Sequence, residues 1–200
     1  MDQAIKHART IFNAATPVLH IHGLTEHYWK RNTGNSARGD RDARIGPWMQ
    51  GEYDVLNEVL WNEVGPCLYM VQAGDKIRYV GISRKRLKDR WRLSPAYDAQ
   101  TMQRLPKRQL FHSQCWRNIE QAVKASPGMT FEVRAIKGSA LSAALTNIGE
   151  PLSAFSVFGT DEESMVASVE RWLCNRSSDD LATWNIAMTR KMLKPESARS

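Results

Sequence analysis

Few cysteines and no long hydrophobic run are the first features of the sequence. Its 200 residues include three cysteines, Cys67, Cys115 and Cys174, which lie far apart. An odd number argues against a disulfide framework, and no two of them have the short spacing of zinc ligands. The sequence therefore predicts reduced thiols in a cytoplasmic protein.

A membrane span and a secretory signal are also missing. No apolar run approaches the roughly 18 residues that cross a bilayer. Residues 1–16 mix charged with apolar side chains, unlike the apolar segment of a signal peptide. With 42% hydrophobic and 24% charged residues, the composition is typical of a globular chain rather than a disordered one. We expect one ordinary domain, or one domain with a small satellite, and no membrane partner.

Positive charge is concentrated in one part of the chain. The net charge is +7, but residues 76–108 carry eleven Lys/Arg and two Asp, whereas the remainder carries seventeen basic and nineteen acidic residues. Such a basic block attracts a polyanion, because each phosphate that it neutralises releases condensed counterions. The charge pattern favours nucleic-acid binding over a merely solvated basic face.

Hydrophobic periodicity predicts an α+β domain with a three-stranded antiparallel sheet flanked by helices. Residues 67–71 and 76–83 have the pattern of strands and are separated by turn-forming residues, which predicts a β-hairpin, and residues 131–136 predict a third strand. Helical spacing predicts helices over 2–15, 52–63, 84–92, 107–125 and 139–145, a helix capped by Thr160, and a partly helical segment over 181–192.

The sequence also predicts how the chain is divided. Residues 1–64 are expected to form an N-terminal helical extension that contains a basic, Gly-rich loop at 30–46. Loops of that length are usually functional or disordered. Residues 65–194 are expected to form the core domain, and 195–200 a flexible tail.

Two tyrosines and one glutamate are the side chains best suited to phosphodiester chemistry. Tyr69 and Tyr79 lie on the two strands of the predicted hairpin, where cross-strand neighbours bring two phenols to one surface. Glu170 lies at the edge of the apolar face of its helix, so we expect its carboxylate to face a cleft beside the core. A single carboxylate suits Mg²⁺, which completes its shell with water and substrate phosphate. Glu163, two turns earlier, is the rival ligand.

Two short motifs in this order resemble the GIY-YIG nuclease superfamily. The segment Cys67-Leu68-Tyr69 is similar to the first motif, and Tyr79-Val80-Gly81 is similar to the second. Ser83 matches the small residue that follows the second motif, whereas Cys67 stands where glycine is usual. The resemblance covers residues 65–186 and implies that the core domain is a GIY-YIG-like nuclease domain.

The resemblance implies a role for each matching residue. Tyr69 would be the general base that activates water, and Tyr79 would orient water or phosphate. Glu170 would bind the metal ion. Asn185 resembles the asparagine that ends the core of the family and supports the site.

Two arginines compete for the catalytic position. Arg90 follows the second motif at nearly the distance that is usual for the catalytic arginine of this family. Arg108 is followed four residues later by His112, which places both side chains on one helix face and resembles the restriction-endonuclease branch. We favour Arg108, with His112 assisting Tyr69, in which case Arg90 contacts phosphate.

These implications define an expected function. The chain is expected to be an endonuclease that hydrolyses double-stranded DNA with Mg²⁺, or with Mn²⁺ as a substitute, and to resemble a type II restriction enzyme. An enzyme that cuts a palindrome would act as a homodimer. The alternatives are a non-catalytic nucleic-acid-binding module of the same fold, or a non-specific nuclease of the repair, mobile-element or toxin type. The residues predicted to contact DNA are Arg84, Lys85, Arg86, Lys88, Arg92, Arg104 and Lys107.

A group of histidines lies near the N-terminus. His20 and His22 are two residues apart, which places both imidazoles on one face if this segment is a strand. His27 follows, and Glu26 is the acidic neighbour in sequence. No cysteine lies nearby to complete a tetrahedral ligand set, so we do not predict zinc there.

Overall fold

The structure, a computed structural model, describes residues 3–30, 44–91, 114–148 and 161–185. Within these residues the chain forms six helices, five strands and one 3₁₀ turn at Thr183–Asn185. The helices are α1 (Gln3–Ala14), α2 (Glu58–Asn62), α3 (Leu87–Trp91), α4 (Gln114–Ala125), α5 (Gly138–Asn147) and α6 (Glu162–Cys174). The strands are β1 (Thr16–Lys30), β2 (Arg44–Val55), β3 (Cys67–Ala73), β4 (Lys76–Ser83) and β5 (Phe131–Lys137).

The five strands form one sheet in the order β2-β1-β5-β3-β4. The pairs β1–β5, β5–β3 and β3–β4 are antiparallel. The α+β class is therefore confirmed, but the predicted strand number of three is wrong. The two additional strands come from the segment that was predicted to be a helical extension. Helices α1 and α2 agree with that prediction, but β1 and β2 do not. Strand β1 pairs with β5, more than a hundred residues further along the chain.

The second predicted helix is much shorter than expected. Residues 52–55 belong to β2, and α2 begins only after Asn57, whose side chain accepts a hydrogen bond from the Leu60 amide at 2.9 Å. Leu56 and Val59, two of the apolar residues in the predicted range, are 54% and 78% exposed. The apolar spacing over 52–63 was misread because strand pairing and the Asn57 cap decide the local conformation.

The central hairpin and the third strand are confirmed. Strands β3 and β4 lie within two residues of the predicted ends and are joined by a turn in which Gly74 has a φ of +60°. This left-handed conformation favours glycine. Tyr69 lies opposite Gly81 in the β3–β4 pair and opposite Ala135 in the β3–β5 pair, so the first motif occupies a strand that is paired on both sides.

Several predicted helix boundaries require correction. Of the helix predicted over 84–92, the described residues form α3, which begins only at Leu87. Helix α6 is capped not by Thr160 but by Asp161, whose carboxylate accepts a hydrogen bond from the Ser164 amide at 2.8 Å. Residues 107–113 of the fourth predicted helix, 31–43 of the basic loop, 186–192 and the predicted tail all lie outside the described residues.

The chain forms two compact units. The first comprises Met1–Ile21, Asp54–Arg90 and Thr130–Ser200. In this unit, α1, α5 and α6 contribute to an apolar core against one face of the sheet. Leu68, Met70 and Val80 point into this core. Because side chains alternate along a strand, Tyr69 and Tyr79 point to the opposite face.

The second unit comprises His22–Tyr53 and Trp91–Met129. Its described core surrounds Trp116, which is fully buried and whose ring centroid lies 5.4 Å from that of Trp91 and 6.0 Å from that of Tyr53. Trp91 and Trp116 are thus packing residues. Trp172 of the first unit is also buried.

The three cysteines, Cys67, Cys115 and Cys174, are all free thiols, as predicted. Burial raises the pKa of Cys67 to about 11 and that of Cys174 to about 12, so neither is a reactive thiolate at neutral pH.

Within the part of the chain that the structure describes, no helix combines the length and apolar character needed to cross a bilayer.

Candidate active site

Tyr69 and Tyr79 form an aromatic pair on the hairpin. Their ring centroids are 6.0 Å apart and the rings are inclined by 27°. Both side chains are buried, with Tyr69 0% and Tyr79 4% exposed. The hairpin therefore brings the two phenols to one face of the sheet, as the ten-residue spacing predicted.

Gly81 lies against both rings. A Cβ atom at this position would lie 2.6 Å from the Tyr69 hydroxyl oxygen and 2.8 Å from Cε1 of Tyr79. These distances are too short for any side chain, so the absence of a Cβ allows the phenols to pack over the strand. The two tyrosines are thus the groups that approach the backbone at Gly81 closely.

We expect Gly81→Ala to displace the tyrosine pair. Because the neighbouring ring atoms are held by buried packing, the added methyl group should lower the free energy of unfolding by about 1–3 kcal/mol. Denaturant titration would measure this loss. Gly23→Ala is the matched control, because its Cβ would contact the end of the flexible Glu52 side chain. Equal stability of the two variants would contradict the described packing of Tyr69 and Tyr79.

Arg90 connects the two phenols. Its Nε donates a hydrogen bond to the Tyr69 hydroxyl at 3.0 Å, and Tyr79 also interacts with the guanidinium. The negative charge that Tyr69 can carry raises the pKa of Arg90 further above its ordinary value, against the opposing effect of burial. Arg90 is therefore a permanent cation at the phenols, suited to binding a phosphate oxygen.

Glu170, on a different element, experiences the charge of the same guanidinium. It lies on α6, which packs against β3 and β4, and its side chain is half-buried, in agreement with the predicted position at the edge of the apolar face. Burial raises the pKa of Glu170, while the charges of Arg90, Arg84 and Arg171 oppose the rise. The charge of Arg90 thus acts both on the tyrosine pair and on this carboxylate.

The Glu170 carboxylate has the properties of a cation ligand. Among the described residues it makes no hydrogen bond and no ion pair, so its oxygens are available to a ligand. A half-buried carboxylate is a hard oxygen donor of the kind that binds Mg²⁺ together with water and substrate phosphate. The rival Glu163 is instead paired with Arg84 at 2.5 Å.

The Asn185 side chain is hydrogen-bonded to β4, the strand that carries the second motif. Its side-chain Oδ1 accepts a hydrogen bond from the Val80 amide at 3.0 Å, and its Nδ2 donates one to the Val80 carbonyl at 2.8 Å. The Ala182 amide also donates to the Ile77 carbonyl at 2.7 Å. Asn185 is fully buried and thus satisfies two backbone groups next to Tyr79, which is a supporting position like the one that the resemblance implied.

Of the seven predicted catalytic residues, the described structure brings three into contact: Tyr69, Tyr79 and Arg90. Glu170 lies on α6, which packs on the opposite, core face of the sheet, and the charge of Arg90 acts on it. Asn185 is hydrogen-bonded to β4. Arg108 and His112 lie outside the described residues. The arginine that contacts Tyr69 here is Arg90, whereas the sequence analysis favoured Arg108.

The predicted DNA-contacting residues are only partly described. Arg86 is paired with Asp89 at 2.9 Å, and Lys88 donates to the Asn62 side chain at 2.8 Å. Lys85 makes no side-chain hydrogen bond or ion pair within the described residues. Arg84 is paired with Glu163 at 2.5 Å, and the remaining three, Arg92, Arg104 and Lys107, lie outside the described residues.

One contact of the site was missed by sequence reasoning. Arg84 and Glu163 are 79 residues apart in sequence, and neither residue belongs to a motif. Glu163 was considered only as an alternative metal ligand. A pairing between distant charged side chains leaves no local pattern, so only the packing of α6 beside β4 reveals it.

Comparison with known proteins does not assign the chain to a family: no protein-family model, no curated protein and no solved structure matches it.

Proposed function

We propose that this chain is a divalent-metal-dependent endonuclease with a GIY-YIG-like domain that hydrolyses phosphodiester bonds in DNA. One observation carries the proposal: Arg90 contacts the tyrosine pair of the hairpin, and its charge also acts on the half-buried Glu170. Phosphoryl chemistry needs a cation for the phosphate, a group that accepts a proton from water, and a carboxylate for a metal ion. Arg90, the tyrosines and Glu170 supply these three functions.

Each of these side chains has a definable task in the proposed reaction. Arg90 stabilises the negative charge that develops on the non-bridging phosphate oxygens. Its Nε–H also stabilises negative charge on the Tyr69 oxygen, which favours proton transfer from water to this phenol. A divalent cation held by Glu170 would polarise a phosphate oxygen and stabilise the leaving group. Asn185 keeps β4, and with it Tyr79, in position.

The charge distribution supports DNA as the polyanion. Arg84, Lys85 and Arg86 directly follow β4, which carries Tyr79, and Lys88 lies on the helix that carries Arg90. A phosphate that reaches Arg90 therefore has basic side chains close by in the chain. Contacts of this type contribute most of the affinity of non-specific DNA binding.

A second candidate function is a DNA-binding module without turnover. The burial of both phenols favours it, since Tyr69 is 0% and Tyr79 4% exposed, and a general base must contact the attacking water. Catalysis therefore requires a movement that exposes these hydroxyls to water. Phosphate binding by Arg90 requires no such movement, because the Arg90 side chain is already exposed.

Plasmid cleavage distinguishes the two candidates. Purified protein is incubated with supercoiled plasmid in Mg²⁺, in Mn²⁺ and in EDTA, and DNA binding is followed in parallel by gel shift. We expect nicked or linear DNA only with a divalent metal. A gel shift without cleavage in any metal would select the binding module. Discrete fragments would support a restriction-type enzyme acting as a homodimer, and a smear would support a non-specific nuclease.

The choice between Arg90 and Arg108 can be tested by substitution. We expect Arg90→Lys to lower the cleavage rate by about 10²-fold, because an ammonium cannot reproduce the planar guanidinium contacts at the two phenols. Arg134→Lys is the control, since that side chain lies on β5, is paired with Glu132 and belongs to neither the catalytic nor the DNA-contacting set, and it should change the rate little. Single-turnover cleavage would measure both. A larger loss in Arg108→Lys than in Arg90→Lys would return the catalytic role to Arg108.

A further inference from the structure

Arg84 and Glu163 form an ion pair beside the candidate active site. The Arg84 Nε donates to the Glu163 carboxylate at 2.5 Å, and the two side chains are 61% and 55% exposed. Ion pairs at this level of exposure contribute little to stability, because water and salt compete for both partners. Arg84 can therefore exchange Glu163 for another anion at small cost.

The position of the pair relates it to the proposed chemistry. Arg84 lies directly after β4 and five residues after Tyr79. Glu163 and Glu170 are seven residues apart on α6, so they project from the same side of the helix about two turns apart. Arg84 also acts electrostatically on Glu170. The pair is therefore part of the environment of the candidate active site.

A carboxylate on an arginine imitates a phosphate. Both groups present oxygen atoms with negative charge to the N–H donors of a guanidinium. DNA that approaches Arg84 must displace Glu163 and must also tolerate the negative charge of this carboxylate close to its own phosphates. Glu163 thus opposes the electrostatic attraction that the basic residues around Arg84 provide.

We propose that Glu163 occupies Arg84 in place of a DNA phosphate, and that Arg84 exchanges this carboxylate for the phosphodiester backbone when DNA binds. This inference rests on the proposed function, because it assumes that DNA binds at this surface. In the free protein, the anion that binds Arg84 is the carboxylate of Glu163 in the same chain. Glu163 therefore lowers the affinity for DNA through Arg84.

The test uses fluorescence anisotropy of a short labelled DNA duplex in EDTA, where cleavage does not interfere. We expect Glu163→Gln to bind DNA about two- to five-fold more tightly than the wild type, which corresponds to the strength of an exposed ion pair. Glu162→Gln removes the same charge one residue away and should give a clearly smaller change. In the background of Arg84→Gln, the Glu163→Gln substitution should give no further gain.

Three results would overturn the inference. An unchanged affinity of Glu163→Gln would show that the carboxylate does not compete with DNA. A gain that persists in the Arg84→Gln background, or that Glu162→Gln reproduces, would show a general effect of net charge. In both cases wild-type binding, and with it the proposed function, would stand. Absence of DNA binding by the wild type and by every variant would refute the inference and the proposed function together.

Discussion

Glu170→Gln is expected to abolish metal-dependent cleavage of DNA while leaving DNA binding intact. The substitution keeps the size of the side chain but removes the charged oxygen donor, so it should lower the cleavage rate by at least about 10²–10³-fold. Because Glu170 makes no hydrogen bond or ion pair among the described residues, no structural contact is lost. Single-turnover cleavage with saturating protein would measure the effect.

Two comparisons make this result specific. Glu162→Gln carries the same chemical change at the start of α6 and should cleave at the wild-type rate. Added Mg²⁺ should raise the melting temperature of the wild type, because a ligand that binds only the folded state stabilises it, and should not raise that of Glu170→Gln. An equal shift in both proteins would place the metal ion elsewhere, and undiminished cleavage would remove Glu170 from the mechanism.

The raised pKa of Glu170 adds a pH dependence to the stability of the fold. Since burial raises this pKa, the folded state binds more protons than the unfolded state between the ordinary and the raised value. The contribution of Glu170 to stability is therefore lost as the pH rises through this range. Glu170→Gln has no such titration, so its stability relative to the wild type should increase from acidic to neutral pH.

Asn185→Ala is expected to have the largest effect on stability. It removes both hydrogen bonds to Val80 and leaves a buried amide and a buried carbonyl without their partner. Each unsatisfied group costs about 1–3 kcal/mol, so the free energy of unfolding should fall by about 2–6 kcal/mol. Urea titration followed by circular dichroism would measure the change.

Asn175→Ala is the matched control, because Asn175 lies on an exposed helix end, and it should shift the stability by less than about 0.5 kcal/mol. Asn185→Asp should also destabilise, since a carboxylate can accept from the Val80 amide but cannot donate to its carbonyl. Wild-type stability of Asn185→Ala would contradict the described hydrogen bonds. If the variant folds, its cleavage activity should also fall, because β4 carries Tyr79.

Local patterns allowed a substantial part of the fold to be predicted. The alternation around Tyr69 and Tyr79 and the turn at Gly74 predicted the hairpin, and the apolar face of α6 predicted both the helix and the half-buried position of Glu170. These features arise from neighbouring residues, for which periodicity is a direct physical signal. The same reasoning failed at β1, because that strand is stabilised by pairing with the distant β5.

The candidate active site likewise combines features that local sequence patterns predicted with contacts that they did not. The pairing of two phenols follows from the strands of the predicted hairpin. The contact between Arg90 and Tyr69 could not be predicted, because the spacing along the chain was compatible with Arg108 as well. The pairing of Arg84 with Glu163 had no local signal at all.

By itself, the sequence determined the basic segment, the tyrosine hairpin and the amphipathic helix that carries Glu170. Each of these features depends on residues that are close together along the chain. Only the tertiary structure decided that the sheet has five strands, that Arg90 contacts the phenols and that Asn185 satisfies the backbone of Val80. These contacts join residues that are far apart in the chain, and their energies depend on burial and on hydrogen-bond geometry, which exist only once the chain has folded.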